Sequence, residues 1–98
     1  MAKTIVWKQK ANQQILEIEA YLLENFSGRE VYKFLDKLYQ KLEKLEKFPE
    51  SGQRTRFKTI RRLRINRLIS LFYRIQGSRI VIHFVWNNRR DPSKNPYS

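Results

Sequence analysis

The chain predicts an α+β fold: a small antiparallel sheet with an N-terminal helical hairpin packed on one face. Three observations predict it. Lys10 to Asn25, and the stretch from about Gly28 to Phe48, carry apolar residues at helical spacing. From Arg61 to Trp86 the chain instead alternates apolar with polar residues or gathers β-branched and aromatic ones, as strands do. A sheet with one apolar face needs a cover, and two amphipathic helices supply it. At 98 residues the chain is expected to be a single domain, 1–98, with room for a modest core.

Taken in order, Thr4 to Lys8 (TIVWK) is a short strand with Ile5 and Trp7 on one side. The first helix buries a stripe of Ala11, Ile15, Ile18 and Leu22, widened by Leu16 and Leu23. Phe26-Ser27-Gly28 breaks it. Ser27 and Glu30 have the spacing of a capping box and start the second helix. Its stripe is Val31, Leu35, Leu38, Leu42 and Leu45, flanked by Phe34; the far side alternates Lys37, Lys41 and Lys44 with Glu43 and Glu46. Lysines near the end of the helix suit its dipole. That stripe also has near-heptad spacing and would serve a dimer seam, but the sheet's need for a cover favours a core role. Phe48-Pro49-Glu50-Ser51-Gly52 stops the helix.

The strand-rich stretch holds one turn signal, Gln76-Gly77. A two-residue loop there sets Tyr73 opposite Ile80, Leu71 opposite Ile82 and Ile69 opposite Phe84, an apolar face that belongs to the core. The other face then pairs Arg74 with Arg79, Phe72 with Val81, Ser70 with His83 and Leu68 with Val85. Upstream, Leu63 and Ile65 alternate with Arg62 and Arg64. With Leu63 and Ile65 on the core face, Arg62 and Arg64 project onto the open face beside Ser70 and His83. Asn66-Arg67 is a poor turn signal, so the register of this third strand is the weakest of the set.

Charge is segregated. Residues 1–52 hold nine Lys and Arg against eight acids, whereas residues 53–98 hold twelve against Asp91 alone. Solubility requires neither such segregation nor the choice of arginine over lysine, so the field points to a polyanion or an acidic protein partner. There is no cysteine and one histidine, which leaves no thiolate or two-histidine metal site, and no phosphate-loop or paired-carboxylate motif stands out. No cofactor is expected. The longest apolar runs are too short to span a membrane, and a cytoplasmic protein without membrane contact is expected.

This inventory suits phosphate binding, or RNA cleavage by attack of the 2′-hydroxyl on its own phosphate, which needs a base, an acid and cations over the developing charge. Arg62, Arg64 and Arg89 are the candidates for the cations and His83 for acid–base catalysis. The competing reading of His83 is a strand histidine bonded to a neighbour such as Ser70. Arg67, Arg74, Arg90 and Tyr97 are candidates for nucleic-acid contact, Tyr97 by stacking. Tyr73 points to the core and reads as structural.

The order strand, two helices, a Pro49-to-Gly52 loop, a basic strand, Leu71 to Ile75 (LFYRI), IVIHFVW and then NNRRDP resembles the RelE/ParE superfamily of toxins from bacterial type II toxin–antitoxin modules, over nearly the whole chain. The aromatic-Tyr-Arg strand (Phe72, Tyr73, Arg74) combined with Arg89 to Pro92 carries most of the likeness. The resemblance implies a compact toxin neutralised by a cognate acidic antitoxin, of the kind found in plasmid stabilisation modules. It implies growth inhibition by ribosome-dependent, metal-independent mRNA cleavage (an mRNA interferase), with non-enzymatic poisoning of DNA gyrase as the alternative; a nucleic-acid-binding module without toxicity is a third reading. By the same resemblance Arg62 falls at a basic position of the nuclease branch and Arg89 at its late arginine, with Tyr97 near its C-terminal tyrosine. Where that branch has an arginine three residues before the strand tyrosine, this chain has Ser70. Where many members have His-Gly, it has Asn87-Asn88.

Overall fold

The computed structural model describes residues 3–87. Its elements are β1 (Thr4–Trp7), α1 (Gln9–Asn25), α2 (Gly28–Lys47), a 3-10 turn (Pro49–Ser51), β2 (Gln53–Arg54), β3 (Arg61–Arg64), β4 (Ile69–Gln76) and β5 (Arg79–Asn87). The five strands form one sheet in the order β1-β5-β4-β3-β2. β3 to β5 are antiparallel neighbours, as expected; the two-residue β2 adds an antiparallel edge that the sequence did not announce, while β1 joins the other edge in parallel with β5, pairing Thr4 with Arg79 and Trp7 with Ile82. A parallel neighbour needs a long crossover, and the helical hairpin between β1 and the rest of the sheet supplies it.

Both helices cover one sheet face. Ala11 and Ile15 of α1 and Phe34, Leu38, Leu42 and Leu45 of α2 are buried with Ile65, Ile69, Leu71, Tyr73, Ile80, Ile82 and Val85, and Ile18, Leu22, Leu35 and Leu63 pack at the margin. The heptad-like stripe is therefore a core stripe. Leu16 and Leu23 do not widen it; both are exposed, since they fall on the far side of α1. The capping box does not form either. Ser27 is the N-cap of α2 without a side-chain bond, and its backbone carbonyl accepts the N–H groups of Glu30 (3.1 Å) and Val31 (3.3 Å) instead.

The β4–β5 hairpin differs from expectation in two ways. Its loop is Gly77-Ser78, with Gln76 opposite Arg79 and Ile75 opposite Ile80. Gly77 sits at φ +61°, and no other residue type among those described adopts positive φ. The first loop position needs that left-handed conformation, so glycine takes it and glutamine does not. Further along, Tyr73 pairs with Ile82 but Phe72 with Phe84, leaving His83 as the extra residue of a β-bulge. Beyond the bulge the faces of β5 exchange. Val85 enters the helix-covered core, whereas Phe84 and Trp86 join Phe72 and Ile60 in a second buried cluster on the opposite face. Ser70 lies opposite Trp86, not His83.

β5 is also longer than β1, nine residues against four. β1 ends where the Lys8 N–H meets the Ile82 carbonyl at 2.9 Å. On that edge, the Val85 N–H donates to Gln14 Oε1 of α1 at 2.8 Å, and Gln14 is itself buried. A helix side chain thus takes the place of a missing strand partner.

Candidate polyanion-binding face

β3 pairs with β4 in the expected facing, Leu63 opposite Leu71 toward the helices and Arg62 opposite Phe72 toward the open face. The turn between them is built by Asn66, whose Oδ1 accepts the N–H groups of Leu68 (2.8 Å) and Ile69 (2.9 Å). Such an Asx turn needs no glycine. Arg61, one residue before Arg62, points the other way. Its Nη1 donates to the carbonyls of Glu50 (3.1 Å) and Gly52 (3.0 Å), so it secures the 3-10 turn. Alternation along one short strand separates a structural arginine from candidate functional ones.

Arg62 and Arg64 meet at Ser70. Arg62 Nε donates to Ser70 Oγ at 3.0 Å, and Arg64 is Ser70's cross-strand partner. Ser70 is buried, so its hydroxyl acts as a fixed acceptor that orients the Arg62 guanidinium. Burial, and then the charge of Arg64, lower the pKa of Arg62. The charge of Arg64 disfavours that of Arg62, and an anion beside them relieves the cost.

His83 is not part of that pair. β3 and β5 flank β4, two strand spacings or about 10 Å apart. Burial pushes the imidazole pKa down, with the charges of Arg74 and Lys8 adding to the effect. His83 Nε2 and Arg74 Nε are both enclosed, and neither has a hydrogen-bond partner among the described residues. The bond between His83 and Ser70 is absent, because Ser70 lies opposite Trp86 and His83 is displaced along β5. Arg74, opposite Val81 on β4, thus belongs to a second cationic group with His83 and Lys8. Lys10 Nζ lies 5.5 Å from the centroid of the Phe84 ring. Between the two groups lies the Ile60, Phe72, Phe84 and Trp86 cluster.

Arg67 is exposed in the β3–β4 turn beyond Arg64. Arg89, Arg90 and Tyr97 lie outside the described residues. Sequence reasoning did not single out Lys8, Lys10 or Arg61, nor the basic loop after β2. The first three carry no local signal, but the loop's RTRFK pattern, cations interleaved with an aromatic, does. Among the described residues there is no cluster of metal-ligating side chains, and no helix is long and apolar enough to cross a membrane.

Residues 5–92 match the family model described as ParE toxin of type II toxin-antitoxin system, parDE. No curated protein sequence matches. Among solved structures, the chain is similar to the chromosomal ParDE toxin–antitoxin system of P. aeruginosa, with a TM-score of 0.74 and 17% identity over 88% of this chain and 96% of that one. The YoeB dimer of Staphylococcus aureus gives 0.61 and 15%, covering 88% and 97%. The RelBE2 toxin–antitoxin complex of Mycobacterium tuberculosis gives 0.59 and 15%, covering 89% and 99%. These likenesses concern the fold, and the sequence match carries the family. With two helices on one face of a five-stranded sheet and a match over nearly its full length, the chain belongs to the ParE toxin family of type II toxin–antitoxin systems, within the RelE/ParE superfamily.

Proposed function

We propose that this toxin, partnered by an acidic antitoxin, stops growth by binding DNA gyrase rather than by cutting RNA. The observation that carries the reading is the state of His83. It is the one imidazole of the chain. Its Nε2 is enclosed, its pKa is depressed, and it stands two strands away from Arg62 and Arg64. Cleavage of a phosphodiester needs proton transfer next to the cations that hold the phosphate. The open face instead supports holding a polyanion or an acidic protein surface, with Arg62 oriented in advance by Ser70.

A second reading, ribosome-dependent mRNA cleavage, is favoured by that same Arg62–Ser70–Arg64 arrangement, which suits stabilisation of charge on a scissile phosphate. Two assays on the purified full chain separate them. Supercoiling of relaxed plasmid by gyrase should be inhibited, and mRNA on programmed ribosomes should stay intact. Discrete mRNA fragments with unimpaired supercoiling would overturn the gyrase reading and establish the second.

A further inference from the structure

The loop joining β2 to β3 is short, basic and ordered by its own hydrogen bonds. The Thr55 hydroxyl oxygen accepts the Phe57 N–H at 3.1 Å, and its hydrogen faces the carbonyls of Phe57 (3.1 Å) and Ile60 (2.9 Å). The Ile60 N–H closes back on the Phe57 carbonyl at 3.1 Å. Ile60 itself is buried among Phe72, Phe84 and Trp86, which pins the end of the loop to the open face of the sheet. The start is fixed by pairing of Gln53 with Arg62 and Arg54 with Arg61. The loop therefore rises from the β2 edge of the sheet, next to the strand that carries Arg62.

On this frame Arg54, Arg56, Phe57 and Lys58 are all exposed. The Arg56 guanidinium lies over the Phe57 ring, 5.0 Å from its centroid. An exposed arginine held over an aromatic ring is a pair that a nucleobase can join by stacking on the guanidinium. The flanking cations lie within reach of the phosphates on each side of such a base. Phe57 is 39% exposed, so part of its ring reaches solvent beside the guanidinium.

We infer that the β2–β3 loop is a binding site for single-stranded nucleic acid, with the Arg56–Phe57 layer stacking a base and Arg54, Arg56 and Lys58 holding the adjacent phosphates. The site is independent of Arg62 and Arg64, and of whether gyrase or the ribosome is the target. Charge alone would favour a duplex, whose phosphates are denser, whereas stacking requires an unpaired base.

Fluorescence anisotropy of the full chain tests this with labelled twelve-nucleotide oligo-dT and oligo-U and with the dT·dA duplex, across a salt series. The single strands should bind more tightly than the duplex. Phe57→Ala should weaken single-strand binding by roughly fivefold to a hundredfold, with Phe57→Tyr restoring it. Arg56→Gln and Lys58→Gln should each lower the salt slope by about 0.7. A preference for U marks RNA as the source of the strand and a preference for dT marks DNA; equal binding means that only base faces and backbone are read, and each supports the site. Equal affinity of wild type and Phe57→Ala, or a duplex bound as tightly as the single strands, would overturn it. Since these side chains are exposed, unchanged thermal midpoints are expected for all four variants.

Discussion

Gly52 lies so close to Tyr73 that a β-carbon on the glycine would sit 2.7 Å from Cε1 and 2.8 Å from Cζ of the ring. The same tyrosine donates its hydroxyl hydrogen to the Pro49 carbonyl at 2.7 Å and accepts the Gly52 N–H at 2.9 Å. The ring is wholly buried, and the turn that ends α2 is folded over its hydroxyl. Gly52→Ala should destabilise by about 1–3 kcal/mol through overpacking. Tyr73→Phe should cost about 1–3 kcal/mol, because it strands the buried Gly52 N–H and the half-buried Pro49 carbonyl. Urea unfolding measures both, and a loss under about 0.5 kcal/mol in Tyr73→Phe would mean that this contact does not hold the turn.

A second prediction separates the two faces of α1 and the sheet. Leu71 is wholly buried beneath the helices, and Leu71→Ala should cost about 2–5 kcal/mol. Leu16→Ala, at an exposed position, should stay within about 0.5 kcal/mol. Equal losses in chemical denaturation would contradict the assignment of Leu16 to the outer face.

His83 makes stability depend on pH. Its folded-state pKa lies below the ordinary 6.5, owing to burial first and the cations Arg74 and Lys8 second. Below pH 6.5 the unfolded chain therefore binds a proton that the folded chain resists. The contribution is complete above that value and is lost as pH falls through the folded pKa. The urea midpoint should drop between pH 7.5 and pH 5.5, and His83→Gln should flatten the drop. An equally steep profile in the variant would show that other groups cause it.

Arg62 is held by Ser70, which gives a way to separate charge from orientation. Ser70→Ala removes only the acceptor of the 3.0 Å bond. Elution of the variant from heparin should shift slightly, while the salt slope for a polyanion stays as in wild type. Arg62→Gln should reduce that slope by about 0.7–0.9. If Ser70→Ala lowers the slope as far as Arg62→Gln does, the hydroxyl is doing more than positioning the guanidinium.

The architecture was legible because periodicity reports burial. Ala11, Ile15, Leu38, Leu42 and Leu45 at helical spacing, and Leu63 alternating with Arg62 and Arg64, were each placed on the face they occupy. The hairpin register was missed from the turn itself, because Gly77 takes the first loop position and not the second, which shifts every pair by two residues and keeps the faces. Phe84, Val85 and Trp86 are all apolar, so the exchange of faces at His83 leaves no trace in the pattern of hydrophobic and polar residues. Together the turn and the bulge move the histidine away from Ser70, which lies opposite Trp86. Leu16 and Leu23 misled for the opposite reason, being apolar side chains on a solvent-facing side. Arg61 and Arg62 are adjacent and identical in type, and only the pairing with β4 distinguishes a turn anchor from a candidate phosphate ligand.

The Gln14 contact has a colloidal consequence. A strand edge with free N–H groups recruits strands from other molecules, the first step toward ordered aggregates. β5 outruns β1, and the Val85 N–H on that edge is engaged by a side chain that cannot propagate a ladder. A single buried glutamine therefore acts as a stopper at the end of a long apolar strand.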